Sequence, residues 1–309
     1  MLDLILDSLR VISLPMKTNF RGINHREVAV FEGPQGWAEF SPFLEYSDEE
    51  SSHWLACAIE AATQAPPTIY RSSIGVNATM PALNSQSEIA DVLAGFPGCT
   101  TVKIKVGTNE KEDLERIATV RKLSPRSKIR IDVNGLWSVD QAAKFLESCG
   151  EIEYVEQPCA TVAELRELKS RIDVKIVGDE VLRKSENPFE LDLDGAIDIL
   201  MLKVQPLGGI RNAHALAAHH KLPVVVSSAL ESAVGINYGL TLAASFEEMS
   251  YDCGLGTGSL LAKNVADIPI VDGKMQIQSV EPNFDGLAVS ADRFDWWKNR
   301  IMRTAALLR

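Results

Sequence analysis

Three acidic residues and a lysine recur at near-constant intervals. Asp132, Glu156, Asp179 and Lys203 are separated by 24, 23 and 24 residues, and each ends a short β-rich run. An interval of that size is one strand plus one helix, so four successive units present a charged side chain at a common height. Three carboxylates aimed at one point repel unless a cation sits among them. An all-oxygen set selects a hard divalent ion, Mg2+ first and Mn2+ second. Taken singly, each acid reads as well as a cap on the following helix or the partner of a surface lysine. The matched spacing argues for a shared cation.

One unit earlier, Val102-Lys103-Ile104-Lys105-Val106 alternates apolar and basic residues. Alternate residues of a strand share a face, so if helices cover the apolar set, Lys103 and Lys105 point the other way, into a closed sheet. Burying two ammonium groups is costly unless anions compensate. By itself this strand reads equally well as a sheet edge with both lysines in water; the acids on the following strands favour the buried arrangement. An ammonium crowded by a second ammonium and by a dication sheds its proton more readily, which makes Lys105 a candidate base. A metal holding a substrate carboxylate would stabilise the enediolate left when the α-proton departs. Lys203, from a strand farther round, would then face Lys105 across the substrate.

Positioning these groups takes a barrel. From about residue 71, β-rich runs alternate with helical patterns. Strands are expected over 73–78, 101–106, 128–133, 152–156, 174–178, 197–204 and 223–227, with a weak one near 251–254; helices such as 110–122, 138–149 and 160–171 lie between them. This rhythm predicts a parallel sheet, about eight strands predict closure, and the C-terminal strand ends then carry the active face. A doubly wound open sheet would need a Gly-rich phosphate turn after an early strand. Gly208-Gly209 is late and lacks the spacing.

Residues 1–70 read as an α+β capping domain. It has a strand over 9–14, a polar loop from Met16 to Gly22, a hairpin about Gly33-Pro34-Gln35, and a helix opened by Ser47 with Asp48, Glu49 and Glu50 in its first turn. Residues 71–262 form the barrel. Residues 263–309, a Pro-rich stretch and then a helix with Trp296-Trp297, are expected to pack back on the capping domain.

The chain of 309 residues suits a barrel of roughly 250 residues with an added cap. Its net charge of -11 disfavours nucleic acid and anionic membrane surfaces as partners. A small anionic substrate is still accommodated where a metal or buried lysines reverse the local field. Five scattered cysteines without a CxxC pair fit buried small hydrophobes in a reducing cytoplasm. The N-terminal stretch does not read as a secretory signal, and no apolar run reaches the roughly 18 residues of a membrane span. The expectation is a cytoplasmic enzyme acting on a small-molecule carboxylate.

The full set of a capping unit, a Lys-x-Lys strand, three acids and a further lysine resembles the enolase superfamily over nearly the whole chain. Within it, several stretches resemble the o-succinylbenzoate synthase family of menaquinone biosynthesis, of the actinobacterial type. They are Gly36-Trp37-Ala38-Glu39-Phe40-Ser41-Pro42, Asp132-Val133-Asn134-Gly135, Glu156-Gln157-Pro158-Cys159, the run from Lys203 to Gly209, Ser227-Ser228-Ala229-Leu230-Glu231-Ser232 and Gly254-Leu255-Gly256-Thr257-Gly258. These stretches shade into related racemases and epimerases. The resemblance implies a modified (β/α)7β TIM-like barrel, with an α+β capping domain built from both chain ends. It implies Mg2+ on Asp132, Glu156 and Asp179, and dehydration of 2-succinyl-6-hydroxy-2,4-cyclohexadiene-1-carboxylate to o-succinylbenzoate. Lys105 would remove the α-proton and then help protonate the leaving hydroxyl. Lys203 would stabilise the enediolate from the other face, and Lys103 would tune Lys105.

Other residues have two readings each. Asn134 shares the face of Asp132 and is either a metal or substrate contact or a plain turn residue. Ser227 and Ser228 either bind the succinyl carboxylate or simply end a strand. The Thr18–Gly22 loop either closes over the substrate, with Arg21 reaching a carboxylate, or is an ordinary exposed loop. The competing functions are a racemase or epimerase of N-acylamino acids or dipeptides on the same scaffold, and a binding protein with a relict barrel.

Overall fold

Apolar runs at the start of the chain commit it to a sheet with one covered face. In the computed structural model, which describes residues 2–308, helix α1 (Leu2–Ser8) precedes strands β1 (Arg10–Phe20), β2 (Ile23–Gly33) and β3 (Gly36–Phe40). These pair antiparallel in that order. The stretch Met16–Gly22 is not the expected loop: the first hairpin runs on to Phe20 and turns through Arg21 and Gly22, at φ 53° and 78°. Two left-handed turn residues match the twist of the flanking strands. Helix α2 (Asp48–Thr63) opens with a capping box between Ser47 and Glu50 and packs on β3.

Strands β4 (Ser73–Gly75) and β5 (Ala78–Met80) follow, then helix α3 (Gln86–Ala94). The first expected barrel strand is therefore split. Val76 N donates to Gly273 O while Asn77 N donates to Cys253 O, so the backbone changes partners at this point. Only β5 enters the barrel. The alternation continues with β6 (Thr101–Lys105), α4 (Glu110–Leu123), β7 (Lys128–Asp132), α5 (Val139–Ser148), β8 (Tyr154–Glu156), α6 (Val162–Lys169), β9 (Ile176–Gly178), α7 (Glu180–Arg183), β10 (Ile199–Lys203), α8 (Ile210–His220), β11 (Val224–Ser227) and α9 (Ala233–Ala244). Strand β12 (Lys274–Gln276) pairs antiparallel with β4, and helix α10 (Ala291–Ala305) ends the fold.

Strands β5 to β11 form a parallel sheet in sequence order. Cys253 and Gly254 close it, bridging Val76 on one side and Ser227 on the other. Following the paired residues once round from Lys105 leads back to β6's own line at position 97, eight residues short of the start. That stagger is the one a closed eight-stranded barrel requires. Tyr154, Val177, Ile199, Met201 and Val225 fill its interior below the charged layer.

The last helix returns to the first sheet. Trp297 is fully buried, edge-on to Phe40 at 5.9 Å. Arg300 donates to Phe43 O, Tyr46 O and Ser51 Oγ at 3.0, 2.7 and 2.8 Å. Two carboxylates from the N-terminal unit dock on barrel helices. Glu60 accepts from Ile210 N at the start of α8 (2.6 Å), and Glu39 accepts from Ser232 N (3.1 Å) and Gly235 N (3.0 Å) at the start of α9. Both meet the positive end of a helix dipole. Among the described residues no helix is long and apolar enough to cross a membrane.

Candidate active site

The alternation in β6 places its residues as the spacing demands. Val102 and Ile104 pack outward and are buried, while Lys103 and Lys105 point into the barrel mouth. Lys105 Nζ lies 2.5 Å from Asp132 Oδ2 and 2.8 Å from Asn134 Oδ1. Lys103 Nζ lies 2.7 Å from Glu156 Oε2 and 3.3 Å from Asp132 Oδ2. Lys203 Nζ lies 2.6 Å from Asp179 Oδ2. All six charged groups thus meet in one layer.

Register explains how. Lys105, Asp132 and Glu156 are direct partners across β6, β7 and β8, but Glu156 pairs with Val177. Asp179 therefore stands one pleat higher on its strand, and Lys203 a further pleat above the residue level with Asp179. Tilted strands need these steps to bring side chains to the same height. Strands β6 and β10 stand four places apart among the eight, so Lys105 and Lys203 rise from opposite walls.

The electrostatics are those of a crowded, dry site. Burial alone would lower the Lys103 pKa, but Glu156 and Asp132 outweigh it and hold the ammonium well above the usual lysine range. Burial opposes ionisation of Asp132 and Asp179 as well. Lys105, Lys103 and Lys203 keep Asp132 well below the usual carboxylate range, and Lys203 and Arg183 do the same for Asp179. Glu156 differs: burial and the neighbouring Asp132 charge push it up to about 7, against the pull of Lys103.

A cavity of about 290 Å³ opens above this layer. Lys103, Lys105, Asp132 and Lys203 form its floor; Glu156 and Asp179 lie behind the lysines and do not reach its surface. Ser227, Ser228 and Arg21 all line it. The serine hydroxyls turn to Gly254 O, and Ser228 also to Thr257 Oγ1. Arg21 is exposed at the hairpin tip, its guanidinium 4.0 Å from the Phe43 ring centroid and 3.6 Å from Glu45. Asn134, at φ 55°, contacts Lys105 rather than serving only as a turn residue.

Sequence reasoning missed the cavity's upper wall, where Phe20, Phe43, Tyr46 and Trp54 come from the capping unit. It also missed Glu180 and Arg183. The spacing Asp179-Glu180-x-x-Arg183, which lets an arginine reach back to acids three and four residues earlier on a helix, was the available signal.

Among the described residues no three His, Cys, Asp or Glu side chains close on one point at ligand distance. Each carboxylate lies instead against an ammonium, Asp132 by Lys105, Glu156 by Lys103 and Asp179 by Lys203. The residues nevertheless fit a hard dication. Asp132 Oδ1 and Glu156 Oε1 are buried without any hydrogen-bond partner, a costly state that a cation would relieve.

Comparison with known proteins bears on the family and the fold. The family description "Enolase C-terminal domain-like" matches residues 88–293, and "Enolase N-terminal domain-like" matches residues 11–62. The chain is 48% identical to an o-succinylbenzoate synthase of Mycobacterium ulcerans, over 98% of this chain and 95% of that protein. It is 46% identical to the o-succinylbenzoate synthase of Mycobacterium tuberculosis, over 99% and 96%. Among solved structures, the L-Ala-D/L-Glu epimerase of Bacillus subtilis superposes with a TM-score of 0.74 at 23% identity, covering 91% of this chain and 98% of that one. The muconate lactonizing enzyme of Pseudomonas putida gives 0.71 at 19% identity, covering 93% and 97%. The structural likenesses establish the fold.

Proposed function

We propose a division of catalytic labour from the premise that the chain belongs to the enolase superfamily and, within it, to the o-succinylbenzoate synthase family. The reaction is the dehydration of 2-succinyl-6-hydroxy-2,4-cyclohexadiene-1-carboxylate to o-succinylbenzoate, a carbon–oxygen lyase step. Lys105 removes the proton α to the carboxylate. The hydroxyl then leaves as water with a proton returned by the same lysine, so Lys105 ends as it began. Lys203, 2.6 Å from Asp179, offers positive charge to the enediolate from the opposite wall. Lys103, fixed between Glu156 and Asp132, sets the field around Lys105.

Asp132, Glu156 and Asp179 would hold the divalent ion, Mg2+ by the hardness of the donors and Mn2+ by the same argument. When bound, it supplies positive charge where electrons arrive on the substrate carboxylate. Ser227 and Ser228 at the end of β11, with Arg21 at the hairpin tip, would meet the succinyl end, and Asn134 would work from beside Lys105. The same reading divides the chain into a cap of residues 1–70 and 263–309 and a barrel of residues 71–262, and places the enzyme in the cytoplasm.

The observation that supports this reading best is the opposed pair Lys105 and Lys203 over a buried acidic layer. Conversion of the cyclohexadiene substrate, followed by ultraviolet absorbance with Mg2+ and with a chelator, tests it. Fast, chelator-sensitive turnover is expected; no turnover by the metal-loaded protein would overturn it. The opposed lysines also suit an epimerase, which takes a proton from one face and returns it to the other. Deuterium exchange from solvent into N-acylamino acids would reveal that activity, and no exchange across a panel would remove it.

A further inference from the structure

Arg183 spends every guanidinium nitrogen on a different neighbour. Nε lies 3.2 Å from Asp179 Oδ1, Nη2 lies 2.5 Å from Glu180 Oε1, and Nη1 lies 3.0 Å from the Tyr46 hydroxyl of the capping unit. Its side chain is only 9% exposed. Glu180 Oε1 also accepts from Asn134 Nδ2 at 3.0 Å, and Asn134 Oδ1 accepts from Lys105 Nζ at 2.8 Å. A continuous chain of contacts therefore runs from the cap through Arg183, Glu180 and Asn134 to Lys105.

We propose that Arg183 is a positioning residue for the dehydration: by holding Glu180 against Asn134, it fixes which end of the Asn134 amide faces Lys105. A carboxamide has one accepting end and one donating end. A carboxylate only accepts, so Glu180 takes the amide N–H, and the amide oxygen is left for Lys105. That oxygen accepts from the ammonium formed by proton abstraction, where the interaction helps most. The reversed amide would aim N–H at the lone pair of the base and then face the new ammonium with a donor. Asn134 is exposed at the pocket mouth, so packing does not fix its amide; Glu180 does. Tyr46 ties the arrangement to a docked cap.

The inference rests on Lys105 being the base. Its test is a cycle of variants, Arg183→Met, Asn134→Ala and both together, with kcat and KM measured for dehydration and Mg2+ affinity measured by calorimetry. Each single variant is expected to lower kcat about tenfold to a hundredfold with little change in KM. The double variant should be no slower than the slower single, because residues acting through one contact are not additive. Effects that multiply in the double variant would overturn the proposal. So would a loss in Arg183→Met that excess Mg2+ restores, which would mean that Arg183 acts through Asp179. If circular dichroism shows Arg183→Met unfolded, Glu180→Ala takes its place in the same cycle. Lys105→Ala separates the two levels. Retained turnover there defeats the base assignment; lost turnover with a multiplicative cycle defeats only the role of Arg183.

Discussion

Glu39 Oε2 lies 3.1 Å from Ser232 N, so a carboxylate from the capping sheet completes the first turn of a barrel helix. Ser232 Oγ and Gly235 N donate to the same oxygen, at 2.5 and 3.0 Å, and Glu39 is 3% exposed. With Ser41 Oγ, 2.6 Å from Oε1, Glu39 has four donors, and such a buried acceptor is expensive to delete, because the donors lose their partner without gaining water. Glu39→Ala is expected to lower the unfolding free energy by about 2–4 kcal/mol, from charge-assisted bonds of about 1.5–3 kcal/mol each that partly relax. Urea denaturation of the two proteins measures this, and a change below about 0.5 kcal/mol would show that the docking contact is idle.

Glu231 predicts an unusual pH response. It is buried beside Glu39, and burial first, then the Glu39 charge, pushes it from 4.5 up to about 7, although it accepts from Ala229 N at 2.6 Å. The folded protein thus holds this proton more tightly than the unfolded chain. Stability from the neutral form is fully present below the unfolded value and is lost as pH rises through about 7. The loss through this group is about 3 kcal/mol. Glu231→Gln keeps the acceptor without the charge. Denaturation midpoints at pH 5 and pH 8 should therefore diverge less in the variant; parallel pH slopes would refute the assignment.

Lys105 and Lys203 predict a paired loss of activity with an intact fold. Each alanine variant should lower kcat at least about a hundredfold, the lower range for a positioned proton-transfer group. Far-ultraviolet circular dichroism should match the parent, since both groups sit at strand ends above the apolar interior. Turnover at the parental rate in either variant would remove that lysine from the mechanism.

The acidic layer predicts metal-linked stability. Saturating Mg2+ should raise the unfolding free energy, by about 2.7 kcal/mol at a concentration one hundred times Kd. Asp179→Asn and Glu156→Gln should shrink that increment and weaken calorimetric binding at least about tenfold. A full Mg2+ increment in both variants would exclude these acids as ligands.

Much of this site was legible because chemistry and periodicity coincide in it. The Lys103–Lys105 alternation gives a face, and the recurring intervals from Asp132 to Lys203 give a layer. The equal intervals hid the two pleat steps at Asp179 and Lys203, since stagger arises only when the sheet closes. They also hid the pairing of each acid with a lysine, which depends on side-chain reach. The hairpin extension through Lys17, Thr18 and Asn19 escaped notice because most of that stretch projects into water and carries no apolar alternation to mark it as strand. The Arg183 chain of contacts was present in the letters, but it looks like an ordinary charged helix start until Tyr46 and Asn134 are seen on either side.

That same hairpin separates reactivity from recognition. Its base is locked by pairing from Arg10–Val30 to Pro15–His25, whereas its tip sets Phe20, 5.9 Å from Lys105 Nζ at the ring centroid, and Arg21 against the cavity. Residues 16–24 are anchored at Met16, which bridges Leu261, and at Lys17, whose Nζ donates to Ser259 O at 2.9 Å; beyond these ties the tip lends the cavity an aromatic ring and a guanidinium, while the proton-handling groups all stand on barrel strands.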